Sequence, residues 1–131
     1  MYKDMEELIK EVERDMDEIL RGDGEKLVEN AKKIGEQISK GVTTSQIRNI
    51  YSEVVGMREF DKYKLQLLRA KLAYIAGKEG TIHKGKLTDI GGLQKILDGM
   101  IRKVNDEKYF ENFKNFFEAI LAYHKYYGGK D

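Results

Sequence analysis

YKLQLLRAKLAYIAGK, residues 63–78, decides between two folds. Leu65, Leu68, Leu72 and Ile75 recur at three- and four-residue spacing, which is one stripe of an α-helix. Just beyond it, Gly80-Thr81-Ile82-His83-Lys84-Gly85-Lys86 has the spacing of a phosphate-binding loop: four residues between the glycines, then lysine. With a buried strand before it, that loop would open a nucleotide-binding unit. The preceding stretch is helix-periodic instead, and Leu87 stands where the loop needs Ser or Thr to hold magnesium. The match is read as chance and a nucleotide hydrolase is set aside. Thr88-Asp89 reads as the cap of the next helix.

The helical period extends outward in both directions. Upstream, Ile47, Ile50, Tyr51, Val54 and Val55 mark one helix, with Thr43, Thr44 or Ser45 placed to cap it. Leu27, Ala31, Ile34 and Ile38 mark another, closed by Gly41 as a C′ residue, with Asp23 or Gly24 at its start. Met5, Leu8, Ile9, Val12, Met16 and Ile19 mark the first. Residues 77–86 lack a period and read as an exposed basic loop. Downstream, Ile90, Leu93, Leu97, Met100 and Val104 mark a fifth helix. Phe110, Phe113, Phe117, Ile120 and His124 mark a sixth, ending before Gly128-Gly129. Alternating strand patterns are absent. The expectation is an all-α bundle of about six helices in one domain, residues 1–131, with short loops and antiparallel neighbours. The acidic first helix, residues 1–21, has most reason to stand apart as an arm or a swapped element.

Composition bounds the function. A 131-residue chain is one domain by length and holds a core without staples. It has no cysteine, hence no disulfide or thiolate metal site, and no proline. No apolar run approaches the ~20 residues that span a membrane. The start, MYKDMEELIKEVERD, is too acidic for a secretory or transit peptide, so a cytoplasmic protein is expected. The net charge of +1 hides an asymmetry. Residues 1–30 hold 11 acidic and 5 basic side chains, whereas residues 62–103 hold 10 basic and 3 acidic. The basic part suits an anionic partner, and the plainer account is a solvated surface with local bias.

Catalytic signatures are missing. His83 lies in the glycine-rich loop and His124 extends an apolar stripe, and neither has the partners of a zinc site. Asp15 and Asp17 are two apart on a helix and point to different faces. No enzyme, metal or cofactor is expected.

Three segments join basic and aromatic residues. In the third helix, Gln46, Arg48, Asn49 and Ser52 lie off the apolar face, and the Arg48 fork suits phosphate oxygens. Lys64, Lys71 and Lys78 recur every seven residues along one flank of the fourth helix, with Arg69 read as sitting beside that row. Such a row can track a nucleic-acid backbone, or be lysines that snorkel over apolar surface. In the last helix Tyr123, Tyr126 and Tyr127 could stack on bases, although aromatics at helical spacing more often form core or interface. Met16, Met57 and Met100 are read as core filler.

Taken in order, GVTTSQIRNIYSEV, LLRAKLAYIAGK and FENFKNFFEAILAYHKYYGG resemble the small subunit of the type III-A CRISPR effector (Csm) complex. The resemblance covers roughly residues 40–79 and 107–129. It implies a non-catalytic helical bundle present in more than one copy. Such a subunit contacts guide RNA and target RNA, or displaced single-stranded DNA, and other subunits of the complex, and it self-associates. Carried over by position, Gln46 and Arg48, then Arg69, Lys71 and Lys78, then Lys125, fall on its basic and polar positions. Lys64, Lys84 and Lys86 are added from charge alone. Ile47, Tyr51, Leu68, Leu72, Phe113 and Ala119 are assigned to the core. The alternative, from a different class, is a helical adaptor that docks a protein through its aromatic C-terminal helix. The open question is whether the TTSQIR helix start lies beside the Lys64–Lys71–Lys78 row.

Overall fold

Apolar spacing of three and four, with no proline to interrupt it, gives six helices in the computed structural model, which describes residues 4–130. They are α1 (Met5–Arg21), α2 (Gly24–Ile38), α3 (Thr44–Val55), α4 (Lys62–Glu79), α5 (Asp89–Lys103) and α6 (Glu107–Tyr126). Each begins at a side-chain cap: Asp4, Asp23, Thr43, Asp61, Thr88 and Asp106 each accept a hydrogen bond from a backbone N–H of the first turn. The all-α bundle expected from the sequence is the observed architecture.

The core is one cluster to which every helix contributes. Its largest fully buried side chains include Phe110, Phe113, Phe116 and Phe117, all on α6. Phe116 was not in the predicted stripe, because α6 buries a face wider than a single three-four row. Helix α6 packs most extensively on α2. The two run parallel: Asn112 Nδ2 donates to Leu20 O at 2.8 Å near the start of α2, and Gly35 meets Tyr123 and His124 near its end. Of the residues assigned to the core, Ile47, Leu68, Leu72 and Phe113 are buried, and Tyr51 and Ala119 are half-buried. Tyr51 meets Phe117 edge-on at 5.3 Å between ring centroids. Met16 and Met100 are buried and Met57 half-buried, all in or against the core.

Helix α1 lies against α5, α6 and α2, and buries Met5, Leu8, Val12, Met16, Ile19 and Leu20. Its acidic side chains find some basic neighbours, Asp15 with Lys26 at 3.6 Å and Asp17 with Lys103 at 3.2 Å.

Two local expectations are corrected. Residues 77–86 are not a plain loop. Helix α4 continues through Gly77 to Glu79, and a two-residue antiparallel hairpin follows, β1 (Ile82–His83) with β2 (Lys86–Leu87). Lys84 and Gly85 both have positive φ, 52° and 80°, as a tight two-residue turn requires. Two residues per strand are too few for alternation to be seen in sequence. Second, Gly41 is not the cap of α2, which ends at Ile38 with Ser39 still in the right-handed region. Gly41 instead makes room for a carboxylate: a Cβ there would collide with Asp89 Oδ2.

Asp89 sits at the first turn of α5, part-buried, and burial pushes its carboxyl above the usual range, opposed by a hydrogen bond with Gln37. A carboxyl raised on folding stabilises while protonated, and loses that contribution as pH rises through its folded-state range. Asp89→Asn should therefore gain stability relative to the parent as pH rises from the acid range toward neutrality. Urea midpoints measured across that range check it, and a difference constant with pH would count against it.

Candidate nucleic-acid interface

Helix α3 starts as a complete capping box. Thr43 Oγ1 accepts from Gln46 N at 3.1 Å, and Gln46 Oε1 accepts from Thr43 N at 2.8 Å. The amide end of Gln46 donates to Glu79 Oε2 at 2.6 Å, at the last turn of α4. Seven residues on, Glu53 pairs with Lys71 at 3.6 Å. Helices α3 and α4 are therefore antiparallel neighbours, and the TTSQIR helix start does lie at the Lys78 end of the lysine row.

Gln46 is nonetheless occupied, by its own cap and by Glu79. Arg48 is exposed but points elsewhere. At about 100° per residue it stands roughly 200° around α3 from Gln46. That is the flank of Tyr51, which faces α6. Arg48 and the lysine row thus leave opposite flanks of the α3–α4 pair.

Lys64, Lys71 and Lys78 are exposed and share one flank of α4, roughly 10 Å apart at 1.5 Å per residue. Lys64 and Lys71 line a groove of 390 Å³ between α3 and α4, with Ser52, Glu53, Gly56, Met57, Leu67 and Leu68. Lys78 reaches over the Tyr74 ring at 5.8 Å. Arg69 does not sit beside them. It leaves the opposite side of α4 toward α5, where Nε meets Asp98 Oδ1 at 2.7 Å and the fork's second arm meets Oδ2 at 3.3 Å. Arg69 and Lys71 are two positions apart, and two positions turn a helix by about 200°.

The remaining basic residues divide further. Lys84 occupies the hairpin turn. Lys86 lines a small pocket with Asp4, Glu6 and Asp89. Lys95, Arg102 and Lys103 line a groove against α1, opposite Glu6 and Glu13. Lys125 is exposed at the end of α6, next to a cluster in which Tyr123, Tyr126 and Tyr127 meet at 5.0 to 6.4 Å between centroids. The sequence surplus of charge in residues 62–103 is therefore spread over several faces. Lys64, Lys71 and Lys78 are the part that stays together.

His124 has a structural duty. It is buried, and its Nε2–H donates to Val42 O at 2.6 Å. Gly129 lies against the imidazole so closely that a Cβ would overlap the ring. Thr44 N donates to Lys130 O at 2.7 Å. The chain end is thereby tied to the start of α3. No group of three or more His, Asp or Glu residues that could hold a metal ion exists among the described residues. Nor is any described helix long and apolar enough to cross a membrane.

Sequence reading missed a second stripe on α4. Tyr63, Leu67, Ala70 and Tyr74 are exposed, with Tyr63 at 74% and Tyr74 at 69%. Their spacing of four, three and four was there to be read, but it interleaves with the buried stripe of Leu65, Leu68, Leu72 and Ala76.

Comparison with known proteins gives a consistent result. A family model described as Csm2 Type III-A matches residues 21–130. The CRISPR system Cms protein Csm2 of Streptococcus thermophilus is 32% identical over 114 residues, covering 79% of this chain and 89% of that protein. The protein of the same name from Enterococcus italicus is 29% identical over 121 residues, covering 78% of this chain and 84% of that one. No solved structure matches significantly. With most of its length matched by the family and by these relatives, the chain belongs to the Csm2 family of the type III-A CRISPR system.

Proposed function

We propose that the chain is a non-catalytic, cytoplasmic subunit of a type III-A CRISPR complex that holds guide–target RNA through backbone charge and stacks with copies of itself and with other subunits. Family membership supports the complex. The RNA reading is carried by Lys64, Lys71 and Lys78, exposed on one flank of α4 at two-turn intervals. Ammonium groups so spaced neutralise phosphates without reading bases. Arg48 and Lys125 add contacts on the α3–α6 side, and Lys84 and Lys86 at the hairpin. Gln46 and Arg69 reach a phosphate only by giving up Glu79 and Asp98.

Titrating fluorescent RNA with the protein at about 50 mM and then about 200 mM salt tests this, since backbone contacts weaken steeply over that interval. Binding that is absent at low salt, or indifferent to salt, would overturn it. A second reading, a protein-docking adaptor, is favoured by the exposure of Tyr126, 76%, at the end of α6. Tyr126→Ser should then abolish a partner contact that salt leaves intact.

A further inference from the structure

The lysine row of α4 has aromatic neighbours that backbone charge alone does not use. Tyr63 and Tyr74 are eleven positions apart, so at about 100° per residue they leave α4 within roughly 20° of one another. Tyr74 is three positions after Lys71 and the buried Leu68 three before it, so the ring and the core lie on opposite sides of the row. Along the axis the two tyrosines are roughly 16 Å apart, beside the roughly 21 Å that separates Lys64 from Lys78. Lys78 Nζ lies 5.8 Å from the centroid of the Tyr74 ring, which ties that ring to the row. Both rings are largely exposed, and Leu67, between them on the same side, is exposed too. Among the described residues neither ring packs on another ring, whereas Tyr123, Tyr126 and Tyr127 pack on each other.

We infer that Tyr63 and Tyr74 are a stacking platform for the bases of an unpaired RNA strand whose phosphates follow Lys64, Lys71 and Lys78; this rests on the RNA reading above and names the state of the strand. The ligand has two demands to meet at once: negative charge along the row, and flat apolar faces at a fixed offset to one side of it. An unpaired strand carries both, because its bases splay away from its phosphates and every base has a face that stacks on an aromatic ring. A duplex meets only the first demand. Its bases are stacked on each other inside, so the tyrosine rings would lose water against sugar and phosphate and gain no partner. An acidic protein segment also meets the charge, but a ring face is best covered by another flat group in offset stacking, which bases supply at each step and aliphatic side chains do not. Leu67 gives a base between the two rings an apolar floor. Stacking of this kind reads no sequence, so it adds affinity and selects for unpaired strand while leaving the row's indifference to bases intact.

The full chain is titrated at about 50 mM salt into three labelled RNAs: a ~12-nucleotide single strand, the same strand paired with its complement, and the same strand made abasic at its central positions. The single strand should bind the parent more tightly than the duplex, although the duplex carries twice the phosphates, and more tightly than the abasic strand, which carries the same number. Tyr63→Ser with Tyr74→Ser should weaken binding of the intact single strand by about 30-fold or more and should no longer distinguish it from the abasic one. Its salt slope should match the parent's, since no phosphate contact is lost. Tyr63→Phe with Tyr74→Phe keeps both rings and should stay within about twofold of the parent. These side chains are exposed, so both variants should keep the parent's helical circular dichroism and melting temperature. A 2-aminopurine placed in the single strand should be quenched on binding to the parent and to the Phe variant, and not on binding to the Ser variant. Salt-dependent binding that favours the duplex, or that treats intact and abasic strands alike, would overturn the platform and leave the lysine row standing. Full single-strand affinity in the Ser variant would overturn it too, and would assign the rings to a protein partner. Binding of none of the three RNAs would overturn the RNA reading itself and the platform with it.

Discussion

Replacing Lys64, Lys71 and Lys78 together with Gln is expected to weaken RNA binding by about 100-fold near 0.1 M salt. A lysine close to a polyanion contributes about 1 kcal/mol at that ionic strength, and three such terms compound to roughly two decades. The salt dependence should fall with the affinity. Each lost phosphate contact lowers the slope of log affinity against log salt by about 0.7 to 0.9, so the triple variant should be shallower by roughly 2 to 3. Stability should hardly change, because all three ammonium groups are exposed and, among the described residues, the one ion pair lost is the exposed contact of Lys71 with Glu53 at 3.6 Å. Arg69→Gln is the instructive contrast. It leaves the half-buried Asp98 carboxylate without its bidentate partner, so its effect should appear in the denaturation midpoint more than in RNA affinity. Fluorescence anisotropy across a salt series, with urea melts on the same proteins, checks both. An unchanged slope in the triple variant would remove the row from the RNA surface.

Much of the fold was legible because helix formation here is a matter of period and caps. Leu65, Leu68 and Leu72 announce the buried face of α4, and Thr43 with Gln46 announces the start of α3. What stayed hidden has physical causes. The hairpin at 82–87 is too short to alternate. Gly41 looks like a helix terminator, yet its role is set by Asp89, 48 residues away, and no local pattern carries that. The lysine row was visible because a seven-residue interval returns to nearly the same side of a helix. The placement of Arg69 was misread because adjacency in sequence stood in for angle. Arg48 was rightly seen as off the core face, but which neighbour that flank meets depends on α6, which enters the chain 59 residues later. Local chemistry thus fixes which residues can be functional, and the packing of distant helices decides which of them act together.

The other large effect should come from a single methyl group. Gly35→Ala places a Cβ 2.6 Å from Tyr123 Cβ and 2.8 Å from the backbone of His124, where α2 packs tightly on α6. Backbone and Cβ atoms cannot rotate away as a side-chain tip can, so the helices must separate. Overpacking of this kind costs about 1–3 kcal/mol, and the gain of about 1 kcal/mol from alanine's helix propensity offsets only part of it. The separation also acts at a distance. His124 must keep Nε2 on Val42 O at 2.6 Å, and Gly129 leaves its ring no room to shift. A displaced α6 end therefore pulls on the turn before α3 and leaves a buried carbonyl short of its donor, a further penalty of about 1–3 kcal/mol if the bond is lost outright. The net expectation is a loss of about 2–4 kcal/mol, or roughly 6–16 °C in melting temperature for a domain between the small and medium size classes. Gly24→Ala, on the same helix with nothing within 4 Å of the added carbon, should instead be neutral or slightly stabilising. If the two variants melt together, the α2–α6 contact is looser than the Gly35 approach implies. If Gly35→Ala also frees the start of α3, amide exchange should rise at Thr44, whose N–H is held by Lys130 O, before it rises in the core of α5.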